Sequence, residues 1–291
     1  MRSSVLEVGL SREVVELGSE LPVEVRIKSD IDCRSLKVSL VAIAEGRVRC
    51  RYTASRVALG EDEEEEEYVT RRVRFSNEVL RVEDVVAKGK LVRGSRYDVV
   101  LKVPKEAPPT YVGKSFSIKW FVEAKIDRRF RKDIVVRKEV VINQLLKEPL
   151  SSNEFVGASG KLRVKVVIES LSNSLIKGRL FLRATKDIKY KEIKVGLIRR
   201  ESIKLREIPD EPGSTYDIEC EPYEELVREF VLSRDSVLGT DEWFSKELSI
   251  ELPKDFKPVS TADFKSEAVL SVKVRKKGFF AGSEEVRVKL L

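Results

Sequence analysis

Apolar and polar positions alternate strictly through most of this chain. Leu21, Val23, Val25 and Ile27 point one way while Pro22, Glu24, Arg26 and Lys28 point the other, the period of a strand with one buried face. The pattern recurs at Leu36, Val38 and Leu40, at Tyr97, Val99, Leu101 and Val103, and at Ile118, Trp120, Val122, Ala124 and Ile126. It returns at Leu162, Val164, Val166 and Ile168, then at Leu180, Leu182 and Ala184, at Ile193, Val195 and Leu197, at Ala268, Leu270, Val272 and Val274, and at Val286, Val288 and Leu290. Short alternating runs separated by Gly, Pro, Asn, Asp and Ser turns predict an all-β chain built from antiparallel β-sandwiches rather than βαβ units. One segment departs. Residues 76–88 (SNEVLRVEDVVAK) space their apolar positions as well for a short helix, capped by Ser76 or Asn77 and ended by Gly89, as for a strand.

The alternation breaks between residues 143 and 160, where Pro149, Ser151, Ser152, Gly157 and Gly160 cluster. The halves on either side echo one another. Val103-Pro104-Lys105-Glu106 answers Leu252-Pro253-Lys254-Asp255 at an offset of 149 residues, and a second proline and a long alternating strand follow each. The pattern predicts a tandem repeat of one sandwich: residues 1–145, a linker over 146–160, and residues 161–291.

Composition narrows the chemistry. With 291 residues, 42% of them hydrophobic, each half can carry its own core. Histidine is absent, which excludes Ser-His-Asp and Cys-His mechanisms, histidine-ligated metal and a histidine pH switch. No catalytic, metal or cofactor site is predicted. Lys plus Arg number 56 and Asp plus Glu 49, a net charge of +7. The two signs interleave along most segments instead of forming a basic stripe, so a nucleic-acid partner is not expected. Abundant Glu, Lys and Arg with one Met, one Gln and four Asn match hyperthermophile usage and predict a thermophilic source, archaeal or bacterial. Three cysteines, Cys33, Cys50 and Cys220, make no disulfide framework and form no CxxC pair, although a Cys33–Cys50 bridge stays open as an alternative to buried thiols. No apolar run approaches the ~18 residues of a membrane helix, and residues 1–10 lack the apolar core of a secretory signal, so a cytoplasmic protein without a transmembrane segment is expected.

Two charged features stand out. Glu61-Asp62-Glu63-Glu64-Glu65-Glu66-Glu67 is an uninterrupted acidic run. It reads first as a solvated loop tip, and alternatively as an autoinhibitory pseudo-ligand folding onto Arg71, Arg72 and Arg74, a basic group that is itself a candidate site for an anionic peptide. Arg47, Arg49 and Arg51, spaced by two, would share one face of a strand and present three guanidinium groups to an acidic or phosphorylated segment, or serve as ion-pair partners. Further basic clusters are Arg128, Arg129, Arg131 and Lys132, Arg199 and Arg200, and Arg275, Lys276 and Lys277. Pro108-Pro109-Thr110-Tyr111 has the spacing of a WW-domain ligand but lies between two predicted core strands, where a structural turn is expected. Gly157-Ala158-Ser159-Gly160-Lys161 lacks the spacing of a phosphate loop and reads as linker. Ser174-Leu175-Ile176-Lys177 is an isolated SxxK without companion motifs.

Residues 93–127 (RGSRYDVVLKVPKEAPPTYVGKSFSIKWFVEAKID) resemble the end of an arrestin N-terminal domain, with Gly94, Pro104, Pro108, Pro109, Tyr111, Gly113, Ile118, Trp120, Val122, Ala124 and Asp127 at the family's motif positions. Thr110 and Trp120 replace the common Ser and Tyr. Residues 14–40 resemble the start of that domain. Residues 162–197 and 252–274 resemble the second arrestin domain, whose corner is met by Leu252, Pro253, Asp255 and Pro258, with Val259 in place of Ser. The resemblance implies two tandem arrestin-type, immunoglobulin-like sandwiches. It also implies a non-enzymatic scaffold or adaptor for trafficking or signalling that binds a protein partner, such as the cytoplasmic segment of a membrane protein, through a strand edge or the cleft between domains, at times peripherally at the membrane. Because the sequence stops at Leu291, in its last predicted strand, the resemblance raises no expectation of the regulatory tail of receptor arrestins. Three readings remain beside it: a carboxylate-based sandwich enzyme, a carbohydrate-binding module and a self-assembling structural protein.

Overall fold

The computed structural model describes residues 5–56, 65–144, 154–172, 175–208, 218–240, 242–253, 256–278 and 282–290. Every regular element among the described residues is a strand. The chain divides into two compact units, Met1–Gln144 together with Arg206–Ile218, and Leu145–Leu205 together with Glu219–Leu291. Residues 206–218 thus leave the second half of the sequence to join the first unit. In the sequence, Pro209, Pro212 and Gly213 break the alternation at that point.

The first unit comprises β1 (Leu6–Leu10), β2 (Val14–Glu16), β3 (Glu20–Ile27), β4 (Ile31–Arg56), β5 (Glu65–Leu91), β6 (Arg96–Lys102), β7 (Tyr111–Val112), β8 (Phe116–Asp127) and β9 (Ile134–Asn143). One layer is the antiparallel sheet β1-β3-β6. In the other, β4 pairs with β5 and with β8, and β8 continues to β9 and β2. All these pairs are antiparallel except β2 with β9, which is parallel. The alternating positions that the sequence marks as apolar are the ones the fold buries. Leu21, Val23, Val25, Ile27, Val99 and Leu101 line one layer, and Leu36, Val38, Leu40, Ile118, Trp120, Val122, Ala124 and Ile126 the other. Strands are favoured here because period-2 side chains put every apolar residue on the inner face at once.

Residues 76–88 are part of strand β5, not a helix. The register explains the ambiguous spacing. Ala42 opposes Leu80 while Ile43 opposes Glu78, and Leu36 opposes Ala87 while Lys37 opposes Val85, so Val79 and Val86 are the extra residues of two β-bulges. Each bulge shifts the inward-facing phase by one position, which turns a two-residue alternation into gaps of three and four that mimic a helical face.

The turn from Pro104 to Phe116 is internally tied. Pro108 and Pro109 are buried, Trp120 Nε1–H donates to the Pro108 carbonyl at 3.0 Å, and Thr110 Oγ1 accepts the Ile142 N–H at 2.8 Å. Tyr111 and Phe116 pack with ring centroids 4.9 Å apart, and Gly113 N–H donates to the Phe116 carbonyl at 2.9 Å. With its prolines buried and one of their carbonyls occupied, the PPTY segment offers no free extended ligand.

The second unit contains β10 (Glu154–Ser159), β11 (Leu162–Leu171), β12 (Leu175–Ala184), β13 (Ile188–Ile203), β14 (Glu219–Cys220), β15 (Tyr223–Leu238), β16 (Phe244–Glu251), β17 (Val259–Ser260), β18 (Phe264–Lys276) and β19 (Ser283–Lys289). The sheet β10-β11-β12-β16 faces the sheet β15-β13-β18-β17, to which β19 adds beside β18. Val164, Val166, Leu180 and Leu182 from the first of these sheets share one core with Val195, Leu197, Leu270 and Val272 from the second. Residues 154–159, read from sequence as linker, form a strand paired with β11. The turn between them is Gly160-Lys161, with Gly160 at φ 55°, a conformation that glycine adopts without strain. Pro253 and Pro258 stand at the corner before β17, where Phe256 N–H donates to the Pro253 carbonyl at 2.9 Å. Cys33 is a free thiol, so the Cys33–Cys50 bridge left open by the sequence does not form; Cys50 and Cys220 are disulfide-bonded and are not the buried thiols expected.

Candidate functional site

The β4–β5 hairpin gathers arginines on one of its faces. Val48, Cys50, Tyr52 and Val73 are buried on its inner face, so alternation turns Arg47, Arg49 and Arg51 to the outer face of β4, where all three are exposed. Pairing sets Arg47 opposite Arg74, Arg49 opposite Arg72 and Arg51 opposite Thr70. Directly opposed residues share a face, so five arginines from two strands form one patch, and Arg47 to Arg51 extends it by about 13 Å along the strand. Arg51 lies over the ring of Tyr68 at 4.4 Å. Arg71 departs from the group: it opposes Cys50 and its guanidinium sits 5.5 Å from the Tyr52 ring, on the inner side of the hairpin.

Like charges directly opposed across a sheet are unfavourable. Among the described residues no ion pair or hydrogen bond engages the side chains of Arg47, Arg72 or Arg74. The patch borders a groove of about 570 Å³ lined by Arg47, Arg74, Lys114, Lys119, Glu45 and Val112. The Glu45 carboxylate is already paired with the Lys119 ammonium, an attachment that pushes the lysine's pKa up, so the groove keeps a positive balance. Arg47 N–H donates to the Ser115 carbonyl at 3.0 Å and holds β4 against the turn before β8. Gly46 permits that approach, since a Cβ there would stand 2.2 Å from the Ser115 oxygen.

Of the acidic run, Glu61, Asp62, Glu63 and Glu64 lie outside the described residues. Glu65, Glu66 and Glu67 begin β5, with backbones paired to Arg56, Ser55 and Ala54.

A second charged cluster occupies the outer face of the same sheet. The Glu123 carboxylate, only 3% exposed, accepts hydrogen bonds from Arg81 Nη1 at 2.9 Å and Arg137 Nε at 2.7 Å. Arg81 also binds Glu78 at 2.7 Å, and Lys37 binds Glu83 at 2.6 Å. Burial pushes the Glu123 pKa up, but the two guanidinium bonds outweigh it and hold the group below its ordinary value. This cluster is internally neutralised and serves the sheet.

Sequence spacing found the arginines of β4 and those of β5 as two separate groups. Their direct pairing, with Lys114 at the rim, is not in the spacing, because it depends on hairpin register across more than twenty residues of intervening chain.

Residues 22–147 match the family model of the arrestin (or S-antigen) N-terminal domain. These residues form an arrestin-like N-terminal domain. The match takes in β4, β5, β8 and the whole arginine patch, so the candidate face lies on the arrestin domain itself. A search of curated proteins finds none that matches. The second unit lies beyond the matched residues; its two packed sheets give this arrestin-like chain its second sandwich. No helix among the described residues is long and apolar enough to cross a membrane.

Proposed function

We propose that this arrestin-like chain is a non-enzymatic adaptor that binds an extended acidic or phosphorylated segment of a partner protein, such as a cytoplasmic segment of a membrane protein, on the outer face of the β4–β5 hairpin. The observation that carries the reading is the opposition of Arg47 to Arg74 and Arg49 to Arg72 on one exposed face. An anion laid along the face relieves that repulsion, and planar guanidinium forks suit carboxylate and phosphate geometry. Val112, 66% exposed at the groove rim, adds an apolar contact for an extended chain. The carboxylates with displaced pKa values among the described residues, Glu24, Glu78, Glu83, Glu123, Asp133, Glu284 and Glu285, are all displaced downward. A general acid requires the opposite shift, so this pattern favours the adaptor over a carboxylate enzyme. In this reading the acidic run of the sequence, Glu61 to Glu67, competes with the partner for the patch.

The test is affinity capture from detergent-solubilised native extract with the full chain and with its Arg47→Ala/Arg72→Ala/Arg74→Ala variant, at low and moderate salt. The expected result is a protein, membrane or trafficking component, that the native chain retains at low salt and the variant does not. Identical recoveries with both chains, or recovery of the bait alone at both salts, would overturn the reading. Deletion of residues 61–67 is expected to raise affinity for an acidic peptide; unchanged affinity removes the competing role of the run.

A further inference from the structure

The β8–β9 turn combines three features that the adaptor reading does not use. Phe130 is 90% exposed and sits at φ 59°, a left-handed conformation that is costly for a bulky residue and tends to persist where a site requires it. Arg128, Arg129, Arg131 and Lys132 surround it within five residues. The turn is closed rather than loose, since Arg128 Nε donates to the Lys132 carbonyl at 2.8 Å. Of the acids that flank the turn, Asp127 and Asp133, Asp133 is occupied by Lys125 at 2.9 Å and by the Arg128 N–H at 3.3 Å. Arg129 stands 5.2 Å from the Phe130 ring centroid, leaving the ring exposed beyond its cationic neighbours. Behind the tip lies a hollow of about 910 Å³ lined by Arg34, Lys90, Arg128, Arg129 and Arg131, with Asp30 and Asp32 as its acids; Asp30 is engaged by the Arg93 N–H at 2.6 Å.

We infer that this turn is a docking tip for an anionic phospholipid surface, with Phe130 entering the headgroup–acyl boundary while Arg129, Arg131 and Lys132 contact lipid phosphates. A projecting aromatic shouldered by cations is the arrangement an interface rewards, because the ring leaves water while long basic side chains keep their charges at headgroup level. The tip is a turn of five residues, against the roughly 20–30 residues a side of a stable protein interface, which favours a bilayer over an acidic protein. The cations of the hollow add attraction for anionic headgroups. The tip is separate in sequence from the arginine patch and does not depend on the adaptor reading.

The test is co-sedimentation of the full chain with vesicles of phosphatidylcholine alone and of phosphatidylcholine mixed with phosphatidylglycerol. Native protein is expected on the anionic vesicles. Arg129→Ala/Arg131→Ala/Lys132→Ala is expected to partition on the order of 100-fold less, about fivefold per basic residue. Phe130→Ala is expected to lose about tenfold and Phe130→Trp to keep binding. The Arg47→Ala/Arg72→Ala/Arg74→Ala variant controls for general charge and is expected to stay sensitive to Phe130→Ala. Glycerol phosphate, compared with chloride at equal ionic strength, separates a bilayer site from a site for free phosphate and is expected to leave vesicle binding intact. Equal partitioning of Phe130→Ala and the native chain, or loss of vesicle binding to glycerol phosphate alone, would falsify the inference. All these side chains are exposed, so a urea midpoint no lower than that of the native chain verifies that each variant is folded.

Discussion

At the scale of single residues, Glu123 and Gly46 fix how β8 meets its neighbours. Glu123 is buried and charged because two guanidinium groups reach it, and removing a carboxylate so placed leaves Arg81 and Arg137 without their common partner. Glu123→Gln is expected to lower stability at neutral pH by about 1–3 kcal/mol, less than a fully buried pair because both arginines can regain water; urea denaturation measures it. The pH dependence has a definite sign. The folded pKa of Glu123 lies below its ordinary value of 4.5, so its contribution is complete above that value and is lost as pH falls through the folded pKa. Native protein should therefore hold its melting temperature down to about pH 5 and lose it below. Glu123→Gln should show a shallower acid loss, not a flat one, because Glu78 and Glu83 are displaced in the same direction. An unchanged acid slope would contradict this role. Gly46→Ala sets a Cβ 2.2 Å from the Ser115 oxygen, and about 1–3 kcal/mol of destabilisation is expected in the same assay.

At the scale of elements, the β4–β5 hairpin sets like charges against each other for the sake of its outer face. Replacing Arg74, which opposes Arg47, with threonine removes one such pair and supplies a good strand residue. Arg74→Thr should raise the urea midpoint at low salt, by about 0.2–1 kcal/mol of stability, and the gain should fade at high salt. A fall in stability at low salt would mean that the opposed arginines are already compensated. The same hairpin marks where sequence reading stops. Its outward residues Arg47, Arg49 and Arg51 are legible as one row because a sheet face has a fixed period. Residues 76–88 were ambiguous because the bulges at Val79 and Val86 are set by cross-strand pairing, which one strand's sequence does not contain. For the same reason Arg47 and Arg74 read as members of separate clusters, and β10 as linker, since Gly157 and Gly160 carry the signals of a turn although residues 154–159 pair with β11.

At the scale of the whole molecule, a net charge of +7 is too small to define a polyanion binder, and the adaptor proposal rests instead on where basic side chains cluster. Among the described residues, many basic side chains are paired with neighbouring carboxylates, as Arg137 is with Glu123 and Arg287 with Glu224 and Glu285. The side chains of Arg47, Arg72 and Arg74 are not engaged by any described residue. The most direct test of the adaptor account is the affinity of the full chain for an extended, multiply phosphorylated peptide, titrated across a range of salt concentration in parallel with the Arg47→Ala/Arg72→Ala/Arg74→Ala variant. The account predicts binding that weakens steeply with salt in the native chain, and in the variant an affinity at least about tenfold lower at low salt with a flatter salt dependence. Equal affinities and equal salt slopes for the two chains would contradict it.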